Sequence, residues 1–196
     1  MSERVIVCVD FASPHAWLAM APTRALEQKL DTAFDWRPRN LPPIPRAKPL
    51  TPDATRGERH RSVRAAYVER DLIRYAESQG LELRDPYRRP ETLRAALGLL
   101  YLRKRAPERS GEFAARMFGV LWQDDPDTVS TGLGTEFEAY TTREGPAELA
   151  ANDAELERLG AWNVPAYLVH GELFLGRQHL PMVEWLVRGR SGPPPI

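Results

Sequence analysis

The chain has 196 residues, enough for one domain with an insertion or for two small lobes, with 27 basic and 27 acidic side chains and no formal net charge. Balanced charge argues against nucleic acid or an anionic membrane as the main partner, and 42% hydrophobic residues is too many for a disordered chain. Its longest stretches without Asp, Glu, Lys or Arg, Phe11–Thr23 and Leu159–Gly171, are 13 residues each, short of the about 18 a bilayer span needs.

Met1–Val9 is too short and too polar at its start for a secretory signal, and a cytoplasmic location is expected. Arg4–Val9 is a β-branched run that predicts a strand buried on both faces. Ser13-Pro14 supplies a favoured N-cap and first helical residue, so a helix should run from there to about Leu30. Trp17, Leu18, Ala21, Ala25, Leu26 and Leu30 are placed on its inner face by spacing. Ala33–Arg37 reads as a second strand, making a β-α-β opening with a parallel, right-handed crossover. Pro38–Pro52 holds six of the 18 prolines and predicts an extended connector. Helical periodicity follows over Arg59–Gln79, Glu91–Lys104, Gly111–Gln123 and Ala147–Leu159, with a weaker helix over Val129–Thr142, where two glycines interrupt the pattern. Ala166–His170 predicts a strand, Gly171-Glu172 a two-residue turn, Leu173–Leu175 the return strand, and Leu180–Arg188 a last helix. The layout is α/β: a thioredoxin-like fold (β-α-β, then β-β-α) over 1–54 and 160–196, with an all-helical insertion over 55–159.

Cys8 is the only cysteine and lies in the first strand, where it should be buried and inert. An internal disulfide and a Cys-rich zinc site are excluded, and no histidine has metal-ligand spacing, so no metal is expected. Ser13 falls at a helix N-terminus, where unpaired N–H groups favour negative charge. Ser13-Pro14-His15-Ala16 carries no sulfur, and dithiol exchange needs an attacking and a resolving thiol, so that reaction is excluded. What remains is a hydroxyl in an anion-stabilising position; as a bare dipeptide, Ser13-Pro14 is equally an ordinary helix start.

Four segments in order carry a resemblance: Asp10–Leu18, Trp36–Leu41, Arg64-Ala65-Ala66-Tyr67 leading to Arg74-Tyr75-Ala76, and Gly160–Pro165 followed by Gly171–Gly176. Together the chain resembles the DsbA-like thioredoxin superfamily. Within it, the chain is similar to the branch of 2-hydroxychromene-2-carboxylate isomerases and kappa-class glutathione transferases. That resemblance implies glutathione as cofactor, a small unsaturated, aromatic substrate and a possible homodimer. It also implies that Ser13 is catalytic and donates to the glutathione thiolate, that Arg64 reaches a glutathione carboxylate, and that Val164 offers its backbone beside a cis Pro165. Gln178 would meet the γ-glutamyl arm, where the family usually carries Asp. His15, Arg37 and Trp162 are expected near the substrate. Three departures stand out: Gln178, Pro86–Pro90, and Asn163 where Gly is usual. They leave open a second reading, a thioredoxin-fold protein without dithiol chemistry that binds extended peptides.

Overall fold

The computed structural model describes residues 4–124 and 130–195. It contains β1 (Ile6–Val9), α1 (Pro14–Lys29), β2 (Asp35–Pro38), α2 (Arg56–Ser78), α3 (Leu93–Arg105), α4 (Ser110–Gly119), α5 (Gly134–Thr142), α6 (Gly145–Arg158), β3 (Ala166–Val169), β4 (Glu172–Leu175) and α7 (Leu180–Val187). α4 runs on into a wider turn over 120–124. The start expected for α5, at Val129, lies outside the described residues. Among those residues, no helix is long and apolar enough to cross a membrane.

The four strands form one sheet in the order β2-β1-β3-β4. β1 and β2 are parallel, whereas β3 is antiparallel to both β1 and β4. This is the thioredoxin-like α/β arrangement, and the crossover through α1 is what a parallel β1–β2 pair requires. By packing, the chain divides into residues 1–41 with 90–196, and residues 42–89. The division at 55 and 159 marks a change of element type; in the first unit α3 and α6 pack on β2, and α4 packs on α1.

α1 buries Trp17, Leu18 and Leu26 as its apolar spacing suggests, but the rest of its buried face differs. Ala21 and Ala25 are exposed, while Thr23 and Glu27 are buried with Ala16, Ala19, Met20 and Leu26. Both polar side chains find partners, which is what makes their burial tolerable. Thr23 Oγ1 and Tyr167 Oη share a hydrogen bond of 2.8 Å. Glu27 accepts from Phe34 N–H at 2.7 Å and from Trp36 Nε1 at 3.2 Å. Pro22 sits inside α1 and brings no N–H for the Leu18 carbonyl one turn back. Arg177 Nη1 donates to that carbonyl instead, at 3.2 Å.

The β3–β4 turn also differs from expectation. Val169 pairs with Glu172, so the two turn residues are His170 and Gly171, with φ of 50° and 77°. Positive φ at both central positions is the type I′ turn, whose twist matches that of the flanking strands. Glu172 therefore belongs to the strand.

In the second unit, Thr55 and Glu58 close a capping box: Thr55 N–H donates to Glu58 Oε2 at 2.8 Å, and Glu58 N–H to Thr55 Oγ1 at 3.3 Å. α2 thus begins three residues before its apolar periodicity does. Its inner side is slight, Ala65, Leu72 and Ala76, and Val63, Tyr67, Ile73 and Tyr75 stay exposed. The extended stretch before it is tied down by Ser62 Oγ donating to the Lys48 carbonyl at 2.9 Å, and by Arg46 over the Tyr87 ring at 4.4 Å.

Candidate functional site

β1 ends in a buried loop that aims the start of α1. Asp10 Oδ1 accepts from Ala12 N–H at 2.8 Å and Oδ2 from Leu41 N–H at 3.1 Å, joining the loop to the segment after β2. Ser13 N–H donates to the Asp10 carbonyl at 2.9 Å. From the helical side, Trp122 Nε1 donates to the Phe11 carbonyl at 2.9 Å, and the Trp122 ring stacks on Trp17 with centroids 5.4 Å apart. Phe118 packs on Phe11 at 4.8 Å. The roles of Asp10 and Trp122 in holding the loop do not follow from the apolar periodicity of the sequence. For Asp10 the signal was there: an acidic side chain just before a Ser-Pro helix start.

Ser13 is the N-cap of α1, in extended backbone (φ −99°, ψ 119°) and 9% exposed. Its Oγ accepts from Ala16 N–H at 3.4 Å, a long bond. Among the described residues the Ser13 O–H proton has no acceptor, so it remains available to an anion. His15 follows two residues later, half-buried.

The Val164–Pro165 peptide bond is cis. Cys8 pairs with Ala166, so continuing this antiparallel register sets Val9 opposite Pro165 and brings the Ser13 loop and the Val164-Pro165 segment to one end of the sheet. Arg39 holds the approach to Val164: its Nε donates to the Ala161 carbonyl at 3.4 Å and its Nη1 to the Asp153 carbonyl at 2.9 Å. One expectation is corrected here. The Val164 N–H is not open to a ligand, because it donates to Asn163 Oδ1 at 2.9 Å. Trp162 is 69% exposed on the same segment.

Gln178 follows Gly176, whose φ of 98° suits glycine and where a Cβ would lie 2.3 Å from Gln178 Oε1. Gln178 Nε2 donates to the Leu175 carbonyl at 3.0 Å, which turns the amide back on its own turn and leaves a neutral oxygen as the acceptor. Arg64 is exposed on α2, in the other compact unit.

Arg37 is a second correction. It is 7% exposed, and its charge is met by Asp35 at 2.8 Å and Glu155 at 2.9 Å. Asp35 also takes a two-point ion pair from Arg103. Burial pushes the Asp35 carboxyl up, but the Arg103 hydrogen bonds and the Arg37 and Arg103 charges outweigh it and hold the group below the usual carboxylate range. A guanidinium so committed serves the fold, and an acidic substrate would have to break both pairs to use it.

Cys8 is buried, and burial pushes its thiol up to about 12. The thiolate is the reactive form, so in the native protein Cys8 should resist iodoacetamide at pH 8 and react fully only in denaturant. Alkylation of the native chain at the rate of a free thiol would contradict that burial.

The family model described as DSBA-like thioredoxin domain matches residues 4–187. Among solved structures, 2-hydroxychromene-2-carboxylate isomerase is similar at 20% identity and a TM-score of 0.71, over 96% of this chain and 95% of that one. A probable DsbA oxidoreductase from Streptomyces coelicolor follows at 19% identity and 0.67, over 98% and 93%. The cytosolic disulfide reductase DsbM from Pseudomonas aeruginosa, in a structure with GSH, gives 16% and 0.56, over 91% and 92%. No curated protein sequence matches the chain. At these identities the structural likeness is one of fold. The order of strands, the helices between β2 and β3, the capped start of α1 and the match across residues 4–187 agree, and the chain belongs to the DSBA-like thioredoxin domain family.

Proposed function

We propose that this protein is a glutathione-dependent isomerase or transferase acting on an unsaturated, aromatic small molecule, in the manner of 2-hydroxychromene-2-carboxylate isomerase. The observation that carries the reading is Ser13: a hydroxyl with an uncommitted proton, at the capped start of a 16-residue helix and at the sheet end shared with Val164-Pro165. Glutathione, when bound, would supply a nucleophilic thiol for reversible addition to a conjugated substrate. The donor set fits the thiol end of such a ligand, since Ser13 O–H and the helix dipole both favour a thiolate. The chain's own work is then to hold that charge through Ser13, to keep water from it with the Phe11, Trp17 and Trp122 wall, and to offer Trp162 as an exposed face for an aromatic ring. At the far end Gln178 offers a neutral amide to an ammonium group. Substituting a neutral for a charged acceptor weakens such a bond, which agrees with a cofactor bound weakly.

With Cys8 buried and no sulfur in residues 13–16, insulin reduction should be blank, unlike that of the disulfide reductases sharing the fold. Calorimetric titration with glutathione tests the proposal. Saturable binding in the range up to about 10 mM is expected, a weak affinity of a few kcal/mol. Absence of binding there, with short extended peptides binding instead, would replace the enzyme by a peptide-binding module.

A further inference from the structure

The contact between Asn163 and Val164 joins neighbours in sequence and asks nothing of the rest of the fold. Asn163 Oδ1 accepts the Val164 N–H at 2.9 Å, closing a small ring through the Asn163 backbone. Val164 is 3% exposed, whereas Asn163 is exposed, so the acceptor can swing away while the donor stays fixed. Beside it, Pro165 has no N–H, and its carbonyl already accepts from Gly176 N–H at 2.8 Å. The Val164 N–H is therefore the backbone donor that this residue pair has to offer, and the chain itself has filled it.

We propose that Asn163 is a specificity-determining residue. Its carboxamide oxygen stands in for the backbone carbonyl of a peptide ligand, so any ligand that needs the Val164 N–H must first displace it. This rests on the site reading above. Peptidic ligands, glutathione included, bear that cost; a small aromatic molecule without a peptide carbonyl leaves the Asn163 bond in place. Displacing one neutral hydrogen bond corresponds to about three- to tenfold in affinity. Residue types without a side-chain acceptor, Gly or Ala, cannot close the ring. Asp can, and its negative charge makes the bond stronger.

The test compares wild type, Asn163→Ala and Asn163→Asp in two readouts: amide hydrogen exchange at Val164 and calorimetric binding of glutathione and of an uncharged probe, acetyl-trialanine amide. Asn163→Ala should speed Val164 exchange and tighten both ligands about three- to tenfold. Asn163→Asp should slow exchange and weaken both, the uncharged peptide showing that this is more than charge repulsion. A residue that merely shaped the loop would weaken binding in both variants. Unchanged or weaker binding of both ligands in Asn163→Ala overturns the proposal. If glutathione binds none of the three proteins, the function proposed above fails; tightening of acetyl-trialanine amide in Asn163→Ala then still upholds the role of Asn163, and no tightening removes it.

Discussion

Replacing Ser13 by alanine is expected to lower glutathione-dependent turnover by about 10- to 100-fold while glutathione affinity changes by no more than about threefold. A hydrogen bond to a charged group is worth about 1.5–3 kcal/mol, and here it would act on the sulfur, the one atom of the cofactor that carries the chemistry. The rest of the tripeptide would be held elsewhere, so binding largely survives. Ser13 has a second, structural duty as the N-cap of α1, where alanine costs about 1 kcal/mol, toward the lower end because the Oγ bond to Ala16 is already long at 3.4 Å. Ser13→Thr separates the two duties. Threonine keeps both cap and hydroxyl and should recover most of the turnover, as measured by isomerisation of 2-hydroxychromene-2-carboxylate with saturating glutathione. If Ser13→Ala retains full turnover and only its melting temperature falls, Ser13 is a cap and nothing more.

The largest effect on stability is expected at Asp35. Asp35→Ala strands two guanidinium groups, Arg37 and Arg103, and leaves the buried Arg37 with only Glu155. Removing one partner of a buried pair costs about 3–5 kcal/mol, which for a chain of this size lowers the melting temperature by on the order of 10 °C. The pH dependence has a definite sign. Arg103 and Arg37 hold the folded Asp35 carboxyl below its usual range despite burial, whereas the unfolded carboxyl titrates near the ordinary value of about 3.9. Its contribution is therefore fully present above about pH 4 and is lost as pH falls through the lower folded value. Urea unfolding of wild type and Asp35→Asn should show a gap that is constant from about pH 5 to 7 and narrows below about pH 4. A gap that does not change with pH would mean that Asp35 contributes packing rather than charge.

Most of the helices and strands could be read along the chain because each is a local periodicity bounded by local signals. β1 and β3 are short runs of residues buried on both faces, and Ser13-Pro14 announced α1. The misses had separate causes. Apolar spacing on α1 pointed to Ala21 and Ala25, because Thr23 and Glu27 look like surface residues until Tyr167, Phe34 and Trp36 are brought to them. The capping box at Thr55 and Glu58 is a local signal, but it lies ahead of the apolar periodicity that begins at Arg59, and periodicity alone places the start of α2 there. The hairpin turn was misplaced by one residue because histidine rarely takes a positive φ, and only the pairing of Val169 with Glu172 shows that His170 does.

By itself the sequence determined the fold class, the absence of a dithiol and the capped serine, since each follows from residue types and near neighbours. Only the tertiary structure decided which polar groups are already spent. Arg37 is consumed by Asp35 and Glu155, and the Leu18 carbonyl that Pro22 leaves without its helical donor is taken by Arg177. A side chain's type states what it can donate or accept. Whether a ligand finds it available depends on what the fold, or a rotamer, has put within hydrogen-bond reach.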